Sequence, residues 1–117
     1  MYPWQEIMLN LKNDGFEVYP PGIKRGNCES PYVVVKDDIQ SPIAGTNKIG
    51  YKIIDLIIFY PLNRYSEIEN YKRQIKSSMD KLKFIRKTGN ETPVIIDDDR
   101  KAYTTSIEYI VYKKIGG

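Results

Sequence analysis

The stretch Tyr51–Tyr60, Tyr-Lys-Ile-Ile-Asp-Leu-Ile-Ile-Phe-Tyr, constrains the fold of this chain more than any other. In an extended strand, successive side chains point to opposite faces. One face would carry Tyr51, Ile53, Asp55, Ile57 and Phe59, and the other Lys52, Ile54, Leu56, Ile58 and Tyr60. Both sets are largely apolar, which predicts a central strand covered on two sides. The chain must therefore build a sheet around this segment and supply layers to cover it. With 117 residues, 41% of them apolar, it has material for one domain, residues 1–117, with a modest core.

The remaining segments supply those layers. Pro3 suits a first helical position, and Trp4, Ile7, Met8 and Leu11 recur at helical spacing, so residues 3–13 are predicted as a helix ended by Asn13-Asp14-Gly15. Phe16–Tyr19 is extended and stops at Pro20-Pro21-Gly22. Tyr32–Val35 is β-branched and reads as a strand. Asp37–Gly50, with Pro42, Gly45 and Gly50 among polar residues, reads as a long loop. Ser66 and Glu69 have the spacing of a capping box, and Ile68, Tyr71, Ile75, Met79 and Leu82 form one apolar stripe behind it. That second helix is expected to end before Gly89-Asn90. Thr92–Ile96 and Ala102–Lys113 are predicted strands joined by a turn at Asp97-Asp98-Asp99-Arg100. The order αββαββ implies an α+β fold: a small antiparallel or mixed sheet with an N-terminal and a central helix packed on it. Ile57 and Tyr109 are expected in its core.

Composition narrows the chemistry. There is no histidine, hence no imidazole base and no His-containing metal site. The single cysteine, Cys28, has no imidazole to activate it and no second thiol to pair with, which favours reducing, cytosol-like surroundings. No run approaches the length of a membrane span, and no phosphate-binding glycine motif occurs. The three aspartates at 97–99 lack the alternation of a calcium loop and are followed by Arg100-Lys101, so a hairpin turn is the better reading. No enzyme activity, cofactor or metal is expected. Asp55 stands out within an apolar strand and calls for a cation, an exit to the surface or a partner across a subunit boundary. Ten tyrosines also suit an interface.

Charge is unevenly spread. Lys72, Arg73, Lys76, Lys81, Lys83, Arg86 and Lys87 are opposed only by Asp80 within 72–87, so this segment carries +6 in a chain of net charge +3. Such a face is either simply solvated or touches phosphate backbone without sequence choice.

Four features carry a family resemblance: the short amphipathic helix at the N-terminus; the apolar strand ending Ile57-Ile58-Phe59-Tyr60-Pro61; the helix that follows, from Ser66-Glu67-Ile68-Glu69 to a late Leu82; and the closing hairpin from Thr92-Pro93 through the acidic turn to Ser106-Ile107-Glu108-Tyr109. In these the chain resembles the tail terminator and tail-completion proteins of tailed bacteriophages and phage-like particles. The resemblance implies a structural virion protein, assembled in the host cytoplasm, forming a ring, usually a hexamer, on the last ring of the tail tube. Its partners would be itself, the tube protein, neck or head-completion proteins, a sheath if the tail contracts, and DNA passing through the channel. On this reading the 37–50 loop, with Asp37, Asp38, Ile39, Ile43, Thr46, Asn47 and Lys48, and also Asp55, are candidates for the assembly interface. Lys72, Arg73, Lys76, Lys83 and Lys87 are candidates for a lumen or phosphate-facing surface. A head-to-tail joining protein of the neck is the alternative within the same machine, and a nucleic-acid-binding module using the basic helix 72–87 the alternative from another class.

Overall fold

The computed structural model describes residues 2–42 and 49–114, with the side chains of 38–42, 49–51 and 112–114 outside the description. In chain order the elements are α1 (Pro3–Asn13), β1 (Val18–Tyr19), β2 (Tyr32–Pro42), β3 (Ile49–Pro61), a 3-10 turn (Tyr65–Glu67), α2 (Ile68–Met79), β4 (Ile85–Glu91), β5 (Ile95–Asp97) and β6 (Ala102–Lys114). The fold is α+β: one mixed six-stranded sheet in the order β1-β2-β3-β6-β4, with β5 also paired to β6. Among the described strands only the β1–β2 pair is parallel. The apolar segment at 51–60 lies at the centre as expected, hydrogen-bonded to β2 on one side and β6 on the other.

Side-chain alternation decides the layers. Ile54, Leu56, Ile58 and Tyr60 of β3 are buried beside Val33 and Val35 of β2 and Ile107, Tyr109 and Val111 of β6. Against this face pack Ile7, Met8 and Leu11 of α1 and Ile75 and Met79 of α2. An aromatic chain lies at one end of the layer, where Tyr71 makes edge contacts with Phe16 and with Tyr60. Tyr32, Tyr60 and Tyr109 are buried within the chain, so part of the tyrosine excess serves the fold itself.

α1 begins and ends where its residues dictate. Tyr2 N–H donates to Gln5 Oε1 at 2.9 Å ahead of Pro3. Gly15 takes φ +94°, which a side chain would resist, and lets Gly15 N–H and Phe16 N–H reach the carbonyls of Lys12 and Leu11. The C-terminal ends of the two helices are tied together: Asn10 Nδ2 donates to the Ser78 carbonyl and Oγ at 3.0 and 3.1 Å, Ser78 Oγ donates to Asp14, and Lys81 Nζ sits 2.6 Å from the same carboxylate. The Lys81 and Ser78 bonds hold the Asp14 carboxyl below its usual range. Ser78→Ala removes a buried hydroxyl from between two partners and should cost about 1 kcal/mol, read as a lower urea midpoint with unchanged slope.

Four expectations are corrected. The segment 37–50 is not a loop throughout: Asp37–Pro42 continues β2 and Ile49–Gly50 opens β3, because ladder bonds to β3 hold these polar residues extended. A bulge between Asp37 and Ile39 takes up the irregularity. The Ser66/Glu69 capping box does not form; Ser66 lies in the 3-10 turn, and no side chain caps α2. α2 stops at Met79, and Leu82 reaches the core from the following turn, so Arg86 and Lys87 stand on a strand, β4. Ile57 belongs to the second face of the sheet and is only half-buried, whereas Tyr109 is 2% exposed in the main core as expected.

Candidate assembly surface

The second face of the sheet is covered at one end only. There Tyr32 stacks on Phe59 with ring centroids 4.9 Å apart, and Cys28 and Ala102 close a small cluster around them. The cover is the segment between β1 and β2, pinned where Cys28 N–H donates to the Arg100 carbonyl at 2.7 Å. Lys24 stands over the rings of Tyr19 and Tyr32, and Arg100 over Phe59. Burial pushes the Cys28 thiol and the Tyr32 phenol up, so Cys28 is a packed, unreactive thiol.

Beyond that cover the face is open. Val34 and Ile57 pack against the border of that cluster, and beyond them Ile53 and Ile110 are half-buried and join neither core cluster among the described residues. Asp55 lies on this open face, half-buried, in a cross-strand row between Lys36 of β2 and Glu108 of β6. It borders a shallow depression with Asn90, Thr92 and Ser106. Of the three expectations for Asp55, a cation, an exit to the surface or a partner across a subunit boundary, the register bears on the first alone, by setting Lys36 opposite it on one side while Glu108 stands on the other. The sheet also outruns its helices. Val111, Lys52 and Ile85 mark the last described row of the core, while β3 and β6 stay paired out to Ile49 and Lys114. The molecule measures 48 × 26 × 25 Å as a result.

Of the predicted interface residues, Asp37, Asp38 and Ile39 lie on β2. Asp37 is bonded by Lys52 Nζ at 2.7 Å on the helix-bearing side. Ile43, Thr46, Asn47 and Lys48 lie outside the described residues.

The predicted cationic surface is divided. Lys72 is buried, 7% exposed, and its Nζ lies 2.8 Å from Glu91 Oε1, while Lys76 Nζ lies 2.6 Å from Glu91 Oε2. Glu91 thus joins two turns of α2 to the end of β4, and Lys72 first, then Lys76, holds its carboxyl below the usual range. These two cations are engaged within the chain and do not form a phosphate surface with the others. Arg73, Lys83 and Lys87 are exposed, but they come from the helix, the turn after it and β4. No single basic helix 72–87 exists. The partner, Glu91, was missed because it stands far along the chain in an otherwise polar stretch.

Elsewhere, Asp97 Oδ1 accepts from Arg100 N–H at 3.1 Å and Asp97 Oδ2 from its guanidinium at 3.2 Å, which makes the acidic run the β5–β6 hairpin turn. Among the described residues no group of three or more Cys, Asp or Glu side chains is placed to hold a metal ion. The class that these features define is a small α+β domain with an extended mixed sheet, one face cored and one face open. Comparison with protein-family models gives no match, and comparison with curated proteins gives no significant one.

Proposed function

We propose that this chain is a ring-forming structural protein of a phage-type tail, seated at the head-proximal end of the tail tube, where it stops tube growth and offers a surface to the neck. The observation that carries this reading is the open second face of the sheet. Ile53 and Ile110, half-buried beyond the covered cluster that Val34 and Ile57 border, give this face apolar surface suited to contact with neighbouring subunits. The sequence resemblance adds the setting: partners are other copies of the chain, the tube protein below and neck proteins above, with DNA passing without sequence selection. Of the five candidate cations, the exposed Arg73, Lys83 and Lys87 are compatible with a phosphate-facing wall but too dispersed to define a dedicated nucleic-acid site.

Particles assembled without this protein, measured by negative-stain microscopy, test the proposal. A terminator predicts tubes of irregular, excessive length. Tails of normal length lying beside unattached heads would move the protein to the head-joining step, and normal particles would exclude the neck altogether.

A further inference from the structure

Between Ile85 and Thr92 the chain runs along one edge of the sheet and buries no side chain. Ile85 itself is buried in the main core, against which Leu82 and Phe84 also pack, but every other side chain of β4 is exposed. Thr92 is fixed at the far end by three bonds. Its N–H donates to the Ser106 carbonyl at 3.1 Å, its carbonyl accepts from Thr105 Oγ1 at 2.7 Å, and its hydroxyl accepts from Ser106 N–H at 2.8 Å. Residues 86–91 are thus a strap between two anchors.

What holds the strap is polar. Arg86 and Lys87 pair with Ile110 and Tyr109, and there the ladder is interrupted: Lys87 to Glu91 takes four steps on β4, where Tyr109 to Ile107 takes two on β6. Gly89 makes the detour at φ +93°, a conformation that a side chain would resist. Thr88 Oγ1 and Asn90 Nδ2 donate to Glu108 Oε1 at 2.8 and 3.0 Å, at the exposed surface. Glu91, the one acidic residue of 86–91, grips the buried Lys72 and, a turn further along α2, Lys76.

A segment with no buried apolar side chain and an exposed, interrupted ladder belongs to the low-stability end of a fold, where opening precedes global unfolding. We propose that 86–91 bows away from β6 as a unit while both anchors and the rest of the sheet stay in place, with the Glu91 carboxylate as the catch that keeps it shut. Opening separates Glu91 from Lys72 and Lys76, which stand on successive turns of α2 and repel each other once the carboxylate leaves. It also uncovers the outer ladder groups of β6 between Ile107 and Ile110, an edge to which an extended segment can add. The strap belongs to the fold itself and stands apart from the ring reading above.

Amide hydrogen exchange followed by NMR on the purified full chain tests the strap residue by residue. Along 107–111, successive amides of β6 point alternately to the β3 side and to the β4 side. In the parent chain, those facing β4 exchange at least roughly tenfold faster than those facing β3, because the strap opens without the core. Ile7→Val, a truncation in the core of α1, speeds the β3-facing amides roughly two- to tenfold and leaves the β4-facing ones unchanged. Glu91→Gln speeds the β4-facing amides by roughly tenfold or more, and the β3-facing ones with them, since global unfolding breaks the clamp too. If β4-facing amides exchange as slowly as their neighbours, or follow Ile7→Val, then 86–91 opens only with the whole molecule and the strap is overturned. Amides unmoved by Glu91→Gln overturn the catch. Where Glu91→Gln does not fold, Lys76→Gln, which removes the less buried lysine, should speed the β4-facing amides roughly two- to fivefold, and no change there overturns the catch equally.

Discussion

Tyr109→Ala should lower the melting temperature by roughly 12–20 °C, corresponding to a loss of about 3–5 kcal/mol. The residue is 2% exposed on β6, in the row between Ile54 of β3 and Lys87 of β4, beneath the layer that α2 forms. Removing the ring opens a cavity that the helices on one side and the ladder on two others cannot collapse to fill. Domains of this size are stable by only about 5–15 kcal/mol, so the loss is a large share of the whole. Tyr109→Phe should behave quite differently. The hydroxyl is buried with no hydrogen-bond partner among the described residues, and burial raises its pKa. Deleting it should leave stability within about 1 kcal/mol of the parent, or raise it slightly. A severe loss in the Phe variant, measured by thermal melting beside the Ala variant, would show that the hydroxyl has a partner after all.

Glu91→Gln is the second large effect. Lys72 is buried beside Glu91, which itself lies at the surface, and leaving a buried charge uncompensated costs about 3–5 kcal/mol in a dry interior. The Glu91 side chain keeps 29% of its surface, so solvent screening brings the expected loss down to about 2–3 kcal/mol at neutral pH. The pH dependence has a defined sign. A carboxyl whose folded-state pKa lies below its unfolded value stabilises the fold above the ordinary glutamate range, and that contribution is lost as pH falls through the folded value. The gap between parent and variant, read from urea midpoints, should therefore be widest at neutral pH and narrow in acid. A gap that stays constant down to acid pH would mean that the two lysines do not act through the carboxylate's charge.

What could be read from the residues follows the reach of the forces involved. α1 was legible to the residue, since Pro3, an apolar stripe and Gly15 are all local signals. The same holds for the acidic hairpin turn, where Asp97 bonds Arg100 three residues away. β4 was not legible: Ile85 is its one buried side chain, followed by Arg, Lys, Thr, Gly, Asn and Glu, and only pairing with β6 makes it a strand. α2 was read too long because Leu82 continues the 3.6-residue stripe although the backbone has already turned. Asp37 and Asp38 were singled out as loop residues; the β3 ladder turns them into edge positions on a strand. The lysine clamp was invisible, because nothing near Lys72 and Lys76 announces a carboxylate at position 91. Likewise, both faces of β3 looked alike, and only the placement of the helices on one side set Ile54 apart from Ile57.

The pairing of β3 with β6 bears on how the chain reaches this state. Pro61 meets Ala102 and Ile49 meets Lys114, so even the nearest partners are about forty residues apart, a separation that slows folding relative to helical domains. The β2–β3 hairpin can zip early and locally. β4 and β5 have no place to dock until β6 arrives, since both hydrogen-bond to it. During that interval β3 has one side unpaired, the kind of open strand edge that makes a folding intermediate prone to aggregate.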